Sequence, residues 1–225
     1  LLLWTSFLLA FSALLPLINP LGSALVFLGL VGPETPRVYH HLARRIAINN
    51  IIFLAVIEVL GSAILRFFGI SLPIVQFAGG LVIVALGWGI LNQNDAQASA
   101  QIKRNEADAC LDNASPELEA KLFYPFTFPV TSGPGTLVVT LTLSARSLRP
   151  ALIDNVFTHL GLFLAIVALS ALVYLCYAFA PRITRAISPS TAHGILRVMG
   201  FIVVCIGVQI GWNGALTLLT QAHLR

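Results

Sequence analysis

The sequence predicts an all-α membrane protein of six transmembrane helices, arranged as two inverted three-helix repeats with helices 1 and 4 discontinuous. Three observations lead there. Hydrophobic residues make up 57% of the 225 and charged residues 10%, far below the roughly 25% charged residues of a soluble domain. The apolar residues gather into six runs, at about 1–31, 42–67, 70–91, 122–145, 151–180 and 194–219, each long enough for the roughly 20 residues that cross a bilayer. The first and fourth runs are each interrupted by proline and glycine.

In the first run the interruption is Pro16-Leu17-Ile18-Asn19-Pro20-Leu21-Gly22. In the fourth it is Pro129-Val130-Thr131-Ser132-Gly133-Pro134-Gly135-Thr136. Proline removes a backbone donor and clashes with the preceding turn, and glycine resists helix on entropic grounds. Hydrocarbon offers no partner for the freed N–H and C=O groups, so such a break persists only where it is buried in protein or lines a cavity. Asn19-Pro20 suits an N-cap followed by the first helical residue, and Gly133-Pro134 suits the same pair. Eleven residues follow each of Pro20 and Pro134 before the run ends. Eleven helical residues rise roughly 17 Å, about half of a ~30 Å hydrocarbon core. Both breaks then fall near the midplane, with two half-helix N-termini converging there.

Converging helix N-termini favour a carboxylate, and unwound carbonyls near Leu17–Ile18 and Thr131–Ser132 can accept bonds from an ammonium. Thr131, Ser132 and Thr136 add hydroxyls, and the glycines let a ligand approach the backbone. The expected ligand is a small zwitterion.

The second run carries Glu58, a carboxylate well inside an apolar segment. Such groups are costly and are usually paired or functional. Glu58 could relay a proton or bind a coupling ion, H⁺ or Na⁺, or be a hydrogen-bonded carboxyl, or reach the outer interface near Arg66. Asn49, Asn50, Gln209 and Asn213 read as interhelical hydrogen-bond partners. Asp154 and His159, near the outer end of the fifth run, read as an interfacial cap. Gly80 to Gly87 of the third run aligns without gaps to Gly200 to Gly207 of the sixth. With the paired breaks this suggests an inverted repeat, whose sites lie between the halves. Gly207-x-x-x-Gly211 permits close helix approach. Trp4, Trp88 and Trp212 lie toward run ends, as interfacial aromatics do.

The polar stretch 92–121 holds six of the nine acidic residues and divides the chain into a first repeat (1–91), a loop and a second repeat (122–225). Nine of the thirteen Lys and Arg flank the side bearing this loop and four the other. The positive-inside rule then places the loop in the cytoplasm and the termini outside. The net charge of +4 does not point to nucleic acid, because the basic residues cluster at run ends. Cys110, Cys176 and Cys205 show no metal spacing, and no nucleotide loop, zinc motif or catalytic triad is present. No cofactor and no enzymatic activity are expected. The chain opens on Leu1, so a short preceding piece is expected; 1–13 lacks the basic flank and cleavage site of a signal peptide.

Asn19-Pro20-Leu21-Gly22, Phe68-Gly69-Ile70-Ser71-Leu72 followed by Ala78-Gly79-Gly80, and Pro129 with Ser132-Gly133-Pro134-Gly135 together resemble the MarC family of bacterial and archaeal inner-membrane proteins. The resemblance covers nearly all of the chain except 92–121. It implies six spans in two inverted repeats and transport of a small neutral amino acid such as glycine, alanine or serine. Carried over by position, the site would be Asn19, Pro20, Gly22, Gly133, Pro134 and Gly135. Phe126-Thr127-Phe128 stands where the family more often has small aliphatic residues, and Thr136 where alanine is common. Beside an amino-acid transporter, two other readings stay open: an exporter or facilitator of other small polar metabolites, and a non-transporting membrane scaffold. The partners expected are the substrate and the lipid bilayer.

Overall fold

The structure, a computed structural model, describes residues 1–92, 121–146, 152–186 and 189–223. Most of the 92–121 loop, with its expected cytoplasmic placement, lies outside the described residues. Helices account for 92% of those described, which leaves connections of a few residues and no strand among them. In chain order the elements are α1 (Leu2–Ile18), α2 (Pro20–Val31), α3 (Pro36–Phe67), α4 (Leu72–Asn92), α5 (Leu122–Thr131), α6 (Pro134–Arg146), α7 (Leu152–Ala178), α8 (Ala180–Ala186) and α9 (Pro189–His223).

Five stretches among the described residues are long and apolar enough to cross a membrane: α1 with α2 taken together, α3, α4, most of α7 and most of α9. The fourth run is different. It splits into α5 and α6, of which α6 is a short apolar helix. The second and sixth runs are longer as helices than as apolar runs. Pro36 occupies the first helical position of α3 after Thr35, where proline costs no hydrogen bond. Arg37, Arg44 and Arg45 therefore lie exposed on the helix and not in a loop. α9 likewise begins at Pro189 and carries Arg197.

α3 and α7 pack together at the centre, and α1 lies along α7. Gly161 of α7 makes the α1 crossing possible, since a Cβ there would meet Leu3 O and Phe7 N of α1. α6 fills the space between α3, α4 and α1, and α5 lies against α3 and α2. α4 and α9 form the most extensive pair, and they meet backbone to backbone through glycine. A Cβ on Gly80 would run into Gly207 O and the Gly211 backbone; one on Gly87 would lie 2.8 Å from both Gly200 O and Val204 N. Gly207 is equally tight against Val84 N, at 2.7 Å, whereas Gly211 has 3.6 Å of clearance. Small residues are what allow membrane helices to gain close packing without a hydrophobic driving force. Trp4, Trp88 and Trp212 are all exposed on the outside of the bundle.

Candidate functional site

The break in the first run is a single residue. Asn19 sits at φ 42°, ψ 67°, the left-handed region, which asparagine tolerates better than most side chains. It ends α1, its N–H donating to Leu15 O at 2.9 Å, and it caps α2, its Oδ1 accepting from Gly22 N–H at 3.2 Å. Pro20 follows at the first helical position, buried. Ser23 Oγ adds a bond to Asn19 O at 3.0 Å. Gly22 is needed for packing: a Cβ there would lie within 2.9 Å of the Asn19 side chain and 2.7 Å of Leu196 Cδ2.

The second break is much longer than Pro129–Thr136. Tyr124 and Phe128 both take extended backbone within α5, because each precedes a proline and is pushed out of the helical region. Both X–Pro bonds, Tyr124–Pro125 and Phe128–Pro129, are cis. The winding is wide, with partners five residues apart: Ser132 N–H donates to Thr127 O at 2.9 Å. Thr127 Oγ1 reaches Leu122 O at 2.8 Å and Thr131 Oγ1 reaches Phe126 O at 2.7 Å. Threonine hydroxyls thus add a side-chain donor to two carbonyls of the widely wound stretch. Regular helix resumes at Pro134, where Thr136 and Leu137 donate to Gly133 O at 3.0 and 3.4 Å.

The two breaks meet. A Cβ on Gly135 would lie 3.2 Å from Leu17 Cδ2 and 3.0 Å from Ile83 Cγ1, so Leu17, just before Asn19, covers the start of α6. Gly135 was expected to present bare backbone to a ligand; instead Leu17 and Ile83 occupy the space in front of it. Gly133 is more open, with Pro129 O its nearest neighbour at 3.3 Å. Pro134 is exposed, while Thr131, Ser132 and Thr136 are buried.

The three hydroxyls differ in their partners. Thr131 Oγ1 also bonds Tyr177 OH at 2.8 Å. Ser132 Oγ donates to Asn50 Oδ1 at 2.5 Å, and Asn50 Nδ2 donates to Ser170 Oγ at 2.9 Å. This chain ties the second break to α3 and α7, and Asn50 is the interhelical partner that its residue type suggested. Thr136 Oγ1 has no hydrogen-bond partner among the described residues, although the residue is 1% exposed. A buried polar atom without a partner calls for a ligand or water. Gln209 and Asn213, read from sequence as interhelical partners, bond each other along α9 at 3.1 Å.

Tyr177 belongs to a buried aromatic layer. Its ring stacks on Phe27 with centroids 4.4 Å apart, and Phe126 and Tyr39 meet Phe27 edge-on at 5.6 and 6.1 Å. Tyr39 OH also donates to Gly32 O. Phe126 thus fills the core on the side where α2 ends and α3 begins.

Glu58 is not at the breaks. It lies eight residues beyond Asn50 on α3, about 12 Å along the axis. It is 4% exposed, and its Oε1 is 3.2 Å from His159 Nδ1. Ser144 Oγ donates to the Glu58 carbonyl at 2.6 Å. His159 therefore faces into the bundle as a partner for Glu58 and is not an interfacial cap. Arg66 bonds Ser62 O at 3.3 Å, on its own helix. The pairing joins residues 101 apart in sequence, and an intramembrane carboxylate was the signal that a partner should exist.

Interrupted helices meeting inside a bundle of membrane-length helices define an integral membrane protein with irregular backbone at its centre. The model of the MarC family of integral membrane proteins matches residues 4–219, and the chain belongs to that family. Among its relatives is the inner membrane protein MarC of Citrobacter koseri, 30% identical over 216 residues, covering 93% of this chain and 94% of the relative. The inner membrane protein MarC of Escherichia coli O1:K1 is 28% identical over 214 residues and that of Salmonella typhimurium 26% over 211, with the same coverage of both chains. No solved structure matches the chain. Together with its apolar helices, these relatives make it an integral inner-membrane protein.

Proposed function

We propose that the chain is a secondary transporter of small neutral amino acids, glycine, alanine or serine, across the inner membrane. The observation that carries this reading is the meeting of two interrupted helices, with the starts of α2 and α6 and the unpartnered Thr136 hydroxyl at their junction. The first-turn N–H groups of Leu21 and Gly135 have no acceptor upstream in their helices, which suits a carboxylate. Carbonyls of the unwound stretch before Ser132 suit the ammonium. Asn19, Pro20 and Gly22 shape one wall, and Thr131, Ser132, Gly133, Pro134, Gly135 and Thr136 the other. The family resemblance implies the same substrate class.

An inverted repeat underlies the arrangement in this reading. If Gly80 corresponds to Gly200 and Gly87 to Gly207, an internal two-fold axis carries the Gly80–Gly207 contact onto the Gly200–Gly87 contact. Both contacts are present, as an isologous pairing requires. Glu58 with His159 is the coupling element, and the ion is H⁺: an imidazole nitrogen shares a proton readily, while hard cations prefer oxygen ligands.

Uptake of labelled glycine and alanine into proteoliposomes, with and without imposed proton and sodium gradients, tests the reading. Accumulation driven by a proton gradient is expected. Saturable uptake of other polar metabolites without amino-acid uptake favours the facilitator reading, and no flux of any of them favours a scaffold.

A further inference from the structure

A cleft of about 680 Å³ opens between α1, α6, α7 and α9. Its walls come from α1 between Leu2 and Ala13, α6 between Val139 and Leu143, α7 between Thr158 and Leu162, and the middle of α9, between Ile202 and Asn213. The α1, α6 and α7 stretches lie on the side of the breaks where the chain starts, which is also the side toward which α9 runs. None of the lining side chains is charged, and hydroxyls and amides from all four helices interrupt an otherwise apolar wall. Thr142 is the informative one. It is 5% exposed, it lines the cleft, and its Oγ1 has no hydrogen-bond partner among the described residues. A buried hydroxyl normally bonds back to its own helix or finds another partner.

The inner end of the cleft, at Ala13 and Val139, stops one helical turn short of Leu17 and Thr136. Between lies the contact of Leu17 and Ile83 over Gly135. On the far side of the breaks the packing is different in kind: Phe27, Tyr177, Phe126 and Tyr39 close that route as a buried aromatic layer. The breaks are thus covered by aliphatic side chains on the terminus side, Leu17 and Ile83 over Gly135 among them, and by a multi-ring layer on the other.

We propose that the cleft is a water-filled vestibule that admits and briefly holds a small, neutral, polar solute from the terminus side, with the Thr142 hydroxyl as its contact and Leu17 as the gate to the breaks. The inference rests on the transport reading above and adds to it the route and the side of entry. A neutral lining suits a zwitterion, which a ring of one charge would hold too tightly or repel.

The experiment is cysteine labelling with a water-soluble, membrane-impermeant thiol reagent applied from the terminus side, on a chain with Cys110, Cys176 and Cys205 replaced by alanine. Thr142→Cys is compared with Val208→Cys, an exposed position on α9 outside the cleft. The thiolate is the reactive form and apolar surroundings suppress it, so a wet Thr142→Cys is expected to react at least about ten-fold faster than Val208→Cys. Excess glycine is expected to slow the reaction at Thr142→Cys alone. A second arm needs no substitution in the cleft: native Cys205 lines it and is expected to label when it is the sole cysteine retained. Thr142→Cys and Cys205 both reacting no faster than Val208→Cys would mean that lipid fills the cleft, and the proposal falls. Labelling needs no transport. A labelled cleft without amino-acid uptake therefore sinks the substrate reading and keeps the vestibule, and uptake with an unlabelled cleft does the reverse.

Discussion

At the scale of single residues, the junction of the breaks depends on few side-chain atoms. Thr136→Val keeps the shape and removes the unpartnered hydroxyl. If that hydroxyl contacts substrate, binding of glycine should weaken by about 0.5–1.5 kcal/mol, the net value of one hydrogen bond, as read by equilibrium binding in detergent. Unchanged affinity would mean that water alone satisfies it. The charge of the ligand can be probed separately. Glycinamide lacks the carboxylate that helix N-termini would hold, so it should compete far less well than glycine; equal competition removes the carboxylate from the reading. Glu58 and His159 lie 3.2 Å apart and away from the junction, so they should affect driving force more than binding. Glu58→Gln is expected to abolish proton-driven accumulation while exchange of labelled for unlabelled glycine persists. Accumulation at the wild-type level would take Glu58 out of the coupling step.

At the scale of elements, proline and glycine explain why some structure was legible in the sequence and some was not. The Asn19–Pro20 start of α2 could be read because capping is local: a side-chain acceptor and a missing N–H lie next to each other in the chain. Asn19→Ala loses the bond to Gly22 N–H and the left-handed tolerance together, and should cost about 1 kcal/mol or more of stability, seen as a lower denaturation midpoint. The start of α6 at Pro134 could be read for the same reason. The irregular winding of α5 could not, because Pro125 sits in an apolar run and the added bonds to Leu122 O and Phe126 O come from Thr127 and Thr131, whose hydroxyls look ordinary in sequence. The pairs Ser132–Asn50 and Glu58–His159 bridge distant residues that no local pattern links. The glycine seam of α4 and α9 was half legible. Its spacing was visible, and the near-contact of backbones was not. It gives a graded test: Gly80→Ala should be destabilising by about 1–3 kcal/mol, the usual range for overpacking, while Gly211→Ala, with 3.6 Å of clearance, should be nearly silent in thermal denaturation.

At the scale of the whole molecule, the two connections that flank α3 lie on opposite faces. Glu34, in the α2–α3 connection, and Ser71, before α4, are both exposed and lie at opposite ends of α3. The basic residues predict that the Glu34 face is cytoplasmic. In intact cells an impermeant thiol reagent should then label Ser71→Cys and spare Glu34→Cys until the membrane is opened; the reverse pattern inverts the topology. The glycine seam has a mechanical consequence at this scale. Interlocked side chains act as teeth, and helices so joined can shift only by jumping from one set of notches to the next. Where Gly80, Gly87, Gly200 and Gly207 meet, the glycines are the notches: Val204 seats against Gly87, Ile90 against Gly200 and Val84 against Gly207, with opposing backbone beside them. Such a joint resists both separation and sliding, as a keyed shaft does. α4 and α9 are therefore expected to move as one piece, because any shift of one along or across the other would have to unseat all these contacts together.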